Sequence, residues 1–130
     1  RHLQPFVHLV GPAGPDTLAG YMAACDLFCL ASTREGWPNV VHEAMACGAP
    51  VVATRVGAVE DMIAGEECGI VVPPGDDAAL LDGILRALRR PFDRDAIARR
   101  AASRSWDQVA REVRDLFESI LMSSVSSRPA

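Results

Sequence analysis

An apolar run, Leu27-Phe-Cys-Leu30, leads into a loop of turn formers, Ser32-Thr-Arg-Glu-Gly-Trp-Pro-Asn39; the helix that opens there stops at Gly48, and a second apolar run, Pro50-Val-Val-Ala53, follows. This strand–loop–helix–strand unit constrains the chain more than any other feature. Short apolar runs bounded by turn residues predict strands. A helix between two strands makes them parallel neighbours joined by a right-handed crossover. The fold class is therefore α/β. In open α/β sheets, ligands bind in the crevice outside the carboxyl ends of the strands, and the loop over 31–38 lies in that place.

The residues of this loop suit an anionic, hydroxyl-rich ligand. The first N–H groups of a helix lack intrahelical partners, and the helix dipole favours negative charge there. The main-chain donors of Asn39, Val40 and Val41 thus form a phosphate seat. Gly36 lets the backbone approach a ligand closely, and Pro38 stiffens the helix start. Glu35 precedes the helix, and Glu43 lies about one turn inside it, roughly 6 Å further along the axis. Helix side chains lean back towards the N-terminus, so Glu43 also points at the ligand. Carboxylates do not bind phosphate, but they accept hydrogen bonds from paired sugar hydroxyls. Either glutamate alone reads better as a solvated or dipole-stabilising residue. The pair flanking a phosphate seat suggests a sugar on each side, as in a nucleotide diphosphate sugar.

Glu35-Gly-Trp-Pro-Asn-Val-Val-His-Glu43, continuing Ala-Met-Ala-Cys-Gly-Ala-Pro-Val-Val-Ala53, resembles the E-x7-E motif of the retaining glycosyltransferases of family four, which have the GT-B fold. The resemblance extends to both sides over roughly residues 5–122. Val7-His-Leu-Val-Gly11 resembles the strand ending in Gly beside the nucleotide base. Ala24-Cys-Asp-Leu-Phe-Cys-Leu-Ala-Ser32, Cys68-Gly-Ile-Val-Val-Pro-Pro-Gly75 and Ser105-Trp-Asp107 resemble later family segments. Ala31 replaces the family's Pro, and His42 stands where Leu is frequent.

The resemblance implies a Rossmann-like parallel sheet flanked by helices, a partial C-terminal half of a GT-B enzyme. It further implies that Glu35, as the catalytic-site residue, binds donor-sugar hydroxyls and that Glu43 binds the ribose. Asn39, Val40 and Val41 hold the sugar diphosphate through the main chain, with Gly36 and Pro38 among the donor-binding residues. Trp37 shapes the sugar pocket, and Gly11 lies by the base. The implied activity is transfer of a sugar from a nucleotide sugar to an acceptor with retention of configuration, as a hexosyltransferase. No metal or other cofactor is expected. The acceptor, a sugar or a lipid, would be held by an N-terminal domain outside this chain. The early strands of this domain, with their diphosphate-neutralising cations, would be missing too. The fragment alone is then expected to be inactive.

Along the rest of the chain, Phe6-Val-His-Leu-Val10 predicts a short buried strand in which His8 is a core residue. A helix is expected from Asp16-Thr17 through Cys25, strands over 26–30, 50–54 and 69–72, and a short helix from Val59 to Ile63. Arg55-Val-Gly57 is a second loop at the carboxyl edge, placed to close over a ligand. Asp76 is expected to cap a helix that buries Ala78, Leu80, Leu81, Ile84, Leu85 and Leu88, and capping accounts for Asp76-Asp77 better than metal binding. A small polar helix over 93–104 and an amphipathic helix from Trp106 to Met122 follow. The domain is set at 1–122, with a disordered tail over 123–130. Arg99, Arg100 and Arg104 read as a solvated face, with a weak contact to an anionic membrane left open.

At 130 residues and 49% hydrophobic content the chain is one domain with a real core. Net charge −4 and the lack of a basic stripe exclude a nucleic-acid partner. No apolar run approaches the roughly 18 residues of a membrane span, and the start has no signal-peptide pattern. Cys25, Cys29, Cys47 and Cys68 lack zinc spacing and read as buried reduced thiols, hence a cytoplasmic location. His2 is terminal, and a nucleotide contact is the less favoured reading of His42. Two alternatives stay open: a non-enzymatic nucleotide-sugar-binding domain, and another GT-B enzyme such as a sugar-nucleotide epimerase. A phosphorylase would need a pyridoxal lysine, and the sequence contains no Lys.

Overall fold

The apolar runs become three parallel strands, β1 (Phe28–Leu30), β2 (Val51–Thr54) and β3 (Gly69–Val72), in the order β1-β2-β3. The structure is a computed structural model; it describes residues 3–63, 65–103 and 105–126, with side chains to 122. Helices α1 (Pro15–Ala24), α2 (Asn39–Ala46), α3 (Val59–Ile63), α4 (Asp77–Arg89), α5 (Arg94–Ala102) and α6 (Trp106–Ser126) complete the chain. Strand β2 is buried along its whole length. That explains why Val51, Val52 and Ala53 are all apolar, because a strand covered on both faces has no solvated alternate positions.

Successive strand side chains point to opposite faces. Val51 and Ala53 join a core with Met22 of α1, Val41, Ala44 and Met45 of α2, Val59 and Ile63 of α3, and Ile97 of α5. Val52 faces the other way, into a smaller cluster with Ile70, Val72 and Ala87 of α4. The sheet is thus covered on both faces, and every connection reaches the next strand through a helix. Asp76 caps α4 by accepting from the Ala79 N–H at 2.9 Å, as expected of it, and Asp93 does the same for α5 through Ala96. Among the described residues no group of His, Cys, Asp and Glu could hold a metal ion, and no helix is long and apolar enough to cross a membrane.

Four expectations are corrected. Residues 6–10 form no strand: Gln4–Phe6 is a 3-10 turn, and Leu9 beyond it is 95% exposed, with His8 also exposed. A strand needs a second backbone to pair with, and among the described residues none pairs with this segment. On α4, Gly83 and Ala87 are buried and Leu80 and Ile84 partly so, whereas Leu81, Leu85 and Leu88 are exposed. The sheet covers the 80-83-84-87 row, and the apolar sector is wider than that row. On α6 the apolar stripe through Val113, Leu116 and Phe117 is formed but exposed, and the helix continues to Ser126. Cys29 is exposed because α4 covers β2 and β3 but not the outward face of β1. All four cysteines are free; Cys68 is buried, and burial pushes its thiol up, with Arg100 opposing and Glu67 adding to the shift. Residues His2, Arg104 and 127–130 lie outside the described residues.

Arg94 ties the first helix to the fifth. Its guanidinium donates to the carbonyls of Cys25 at 2.8 Å and Ala23 at 2.7 Å. Those carbonyls belong to the end of α1, where a helix has no internal donors left. Arg94→Ala is expected to cost about 1–3 kcal/mol, read as a melting temperature lower by several degrees, with Arg94→Lys recovering only part of it because an ammonium lacks the fork.

Candidate functional site

The site lies where β1 and β2 end. Register pairs Leu30 with Ala53, so the loop 31–38 leaves the sheet beside the loop 55–58. The two loops are joined. Ala58 N–H donates to Gly36 C=O at 3.0 Å, and a Cβ on Gly57, whose φ is +52°, would stand 2.1 Å from that same oxygen. Arg55 pairs with Glu60 at 3.4 Å. The second loop therefore packs against the Glu35–Gly36 backbone as a support, where a cover over the ligand was expected.

Glu35 is half-buried, and its Oε1 accepts from the Ser32 hydroxyl at 2.8 Å. Beside it, Gly36 is open: a Cβ there would meet nothing within 4 Å, and its φ is not left-handed. Nothing among the described residues demands glycine at 36. Pro38 is buried and occupies the cap position of α2 without a side-chain acceptor.

The helix start offers fewer donors than expected. Val41 N–H is turned inward to Pro38 C=O at 3.0 Å, and the residue is fully buried. Asn39 and Val40 remain, with no protein acceptor for their N–H groups among the described residues. Glu43 is exposed one turn on. Trp37, Asn39, His42 and Glu43 line one side of a cleft of about 660 Å³, and Ala101, Trp106 and Val109 line the other. Ser105 caps α6 at its rim, accepting from Gln108 N–H at 3.2 Å, so the expected start of the last helix is found. His42 and Trp37 also border a cleft of about 280 Å³ that holds Asp61 and Arg100.

The structure thus brings Trp37, Asn39 and Glu43 together. Glu35 lines neither cleft and faces Ser32 instead. Gly11 has φ +75° on the exposed segment before α1 and lines neither cleft. Sequence reasoning missed Ser32, Thr54 and Trp106. A Thr closing the apolar run Val51-Val-Ala-Thr54 was the one available signal for the second of these.

A parallel sheet flanked by helices, with a loop and a helix start at its carboxyl edge, defines an α/β fold of the open, doubly covered kind. The family model described as Glycosyl transferases group 1 matches residues 1–90. Curated relatives include the D-inositol 3-phosphate glycosyltransferase of Corynebacterium urealyticum, 31% identical over 88% of this chain and 28% of that protein. Another is the protein of the same name from Jonesia denitrificans, 33% identical over 91% of this chain and 29% of its own length. Among solved structures, sucrose-phosphate synthase from Thermosynechococcus elongatus superposes with a TM-score of 0.77 at 30% identity, covering 93% of this chain and 33% of that one. This chain belongs to the group 1 glycosyltransferase family and has the α/β architecture of the GT-B fold. It spans a third or less of the length of these relatives, to the nearest per cent.

Proposed function

We propose that this chain is the donor-nucleotide-binding part of an enzyme that transfers a hexose from a nucleotide sugar to an acceptor with retention of configuration. The observation that carries the reading is the convergence of Trp37, Asn39 and Glu43 at a helix start whose first N–H groups are open, one loop away from a pre-oriented Glu35. In this reading the N–H groups of Asn39 and Val40 donate to the diphosphate. Their fixed dipoles stabilise the charge that grows on the diphosphate as the sugar–phosphate bond breaks. Glu43 accepts from the ribose hydroxyls, and Glu35 accepts from hydroxyls of the donor sugar and fixes its orientation. Main-chain dipoles do the work that a metal would otherwise do. The acceptor, a sugar or a lipid, is held by parts of the protein outside this chain. The reaction belongs in the cytoplasm, where four free thiols stay reduced.

Calorimetric titration with UDP, GDP and ADP and their glucose conjugates tests the reading. Saturable binding of one base series is expected. Glu35→Ala is expected to weaken the sugar nucleotide by about tenfold and to leave the sugar-free nucleotide unchanged. Equal losses for both ligands would remove Glu35 from the sugar.

A further inference from the structure

We propose that Ser32 and Thr54 are positioning residues for Glu35, so that the end of β2 sets the direction of a carboxylate on the neighbouring loop. The inference rests on the donor-binding reading and adds two residues to it.

Thr54 is the last residue of β2 and only 4% exposed. A buried hydroxyl without a partner is costly. This one donates to the Ser32 carbonyl, with the Leu30 carbonyl 3.4 Å away. It therefore pins the backbone at the point where the chain leaves β1. Ser32 in turn donates its own hydroxyl to Glu35 Oε1 at 2.8 Å. One residue later, the Gly36 carbonyl is held by Ala58 N–H. Glu35 is thus fixed at its side chain by Ser32 and at the adjoining peptide by the second loop.

The consequence is orientation. A free Glu side chain explores many rotamers and loses that freedom on binding a ligand. Here Oε1 is already engaged, which leaves Oε2 to accept from sugar hydroxyls. A purely local role for Ser32 and Thr54, stiffening the loop, would alter stability without distinguishing a sugar nucleotide from a bare nucleotide. Positioning of Glu35 does distinguish them.

The test uses Thr54→Val, Thr54→Ser and Ser32→Ala in the intact protein, titrated with UDP-, GDP- and ADP-glucose and with UDP, GDP and ADP. Thr54→Val and Ser32→Ala are each expected to weaken the sugar nucleotide by about three- to tenfold. The sugar-free nucleotide should stay within about twofold, and Thr54→Ser should restore the wild-type affinity. In a Glu35→Ala background neither change should cause a further loss, since the group they orient is gone. If Thr54→Val does not fold, Ser32→Ala and its cycle with Glu35→Ala decide the matter, because that change removes a single half-buried hydroxyl. Full loss in the Glu35→Ala background, or an equal loss for the bare nucleotide, overturns the positioning role. Weakening by Glu35→Ala but not by Ser32→Ala overturns this proposal alone. No effect of Glu35→Ala overturns the donor-binding reading and this proposal with it.

Discussion

Glu43→Ala is expected to weaken binding of a sugar nucleotide and of its free nucleotide alike, by roughly ten- to a hundredfold. Glu43 is exposed on the cleft-lining row of α2, together with Asn39, His42 and Ala46. A carboxylate at that point is one turn from the open N–H groups that would seat a diphosphate, the distance at which a ribose follows its phosphates. Since both ligands carry the ribose, both should lose the same contact. The loss should stay local, because Glu43 belongs to no buried cluster and the change keeps a good helix former. Calorimetry with the two ligands, and a melting curve as a folding control, check it. Unchanged nucleotide affinity would take the ribose away from Glu43, and Glu43→Gln should recover part of the loss, since an amide oxygen still accepts.

How the sequence and the structure compare follows from what each element depends on. Strand β2, helix α2 and the loop between β1 and α2 were legible because their signals are local: an apolar run, turn residues, and a helical row ending at Gly48. The Asp76 cap was legible for the same reason. Residues 6–10 and the Leu81-Leu85-Leu88 row are apolar as read but not buried, and the apolar α6 stripe is left uncovered. An apolar pattern says that a face gains by being covered; it does not say what covers it. The site shows the same division. The motif singles out Glu35 and Glu43, of which only Glu43 lines a cleft, and the Val41 N–H is taken by Pro38 through a tight first turn that spacing does not reveal. Arg94 and Thr54 act across long stretches of chain on carbonyl groups, and a carbonyl leaves no mark in a sequence.

Gly57→Ala is expected to destabilise the protein by about 2–4 kcal/mol and to weaken sugar-nucleotide binding at the same time. Two costs coincide at this residue. Its φ of +52° is a conformation that a side chain makes unfavourable. Its added Cβ would also lie 2.1 Å from Gly36 O and 2.6 Å from Glu35 O, and neither is the end of a flexible side chain. Relief requires the two loops to separate, which breaks the Ala58 N–H bond to Gly36 and moves the peptide that carries Glu35. Gly36→Ala supplies the contrast. Its Cβ meets no atom within 4 Å, so stability should not change, and only a ligand passing over that backbone would feel it. Thermal unfolding and calorimetry on the two variants separate the roles: Gly57→Ala should lower both melting temperature and affinity, and Gly36→Ala affinity alone. A native melting temperature for Gly57→Ala would mean that the loops are not in contact as described, and normal binding by Gly36→Ala would mean that the donor does not cross the motif at that residue.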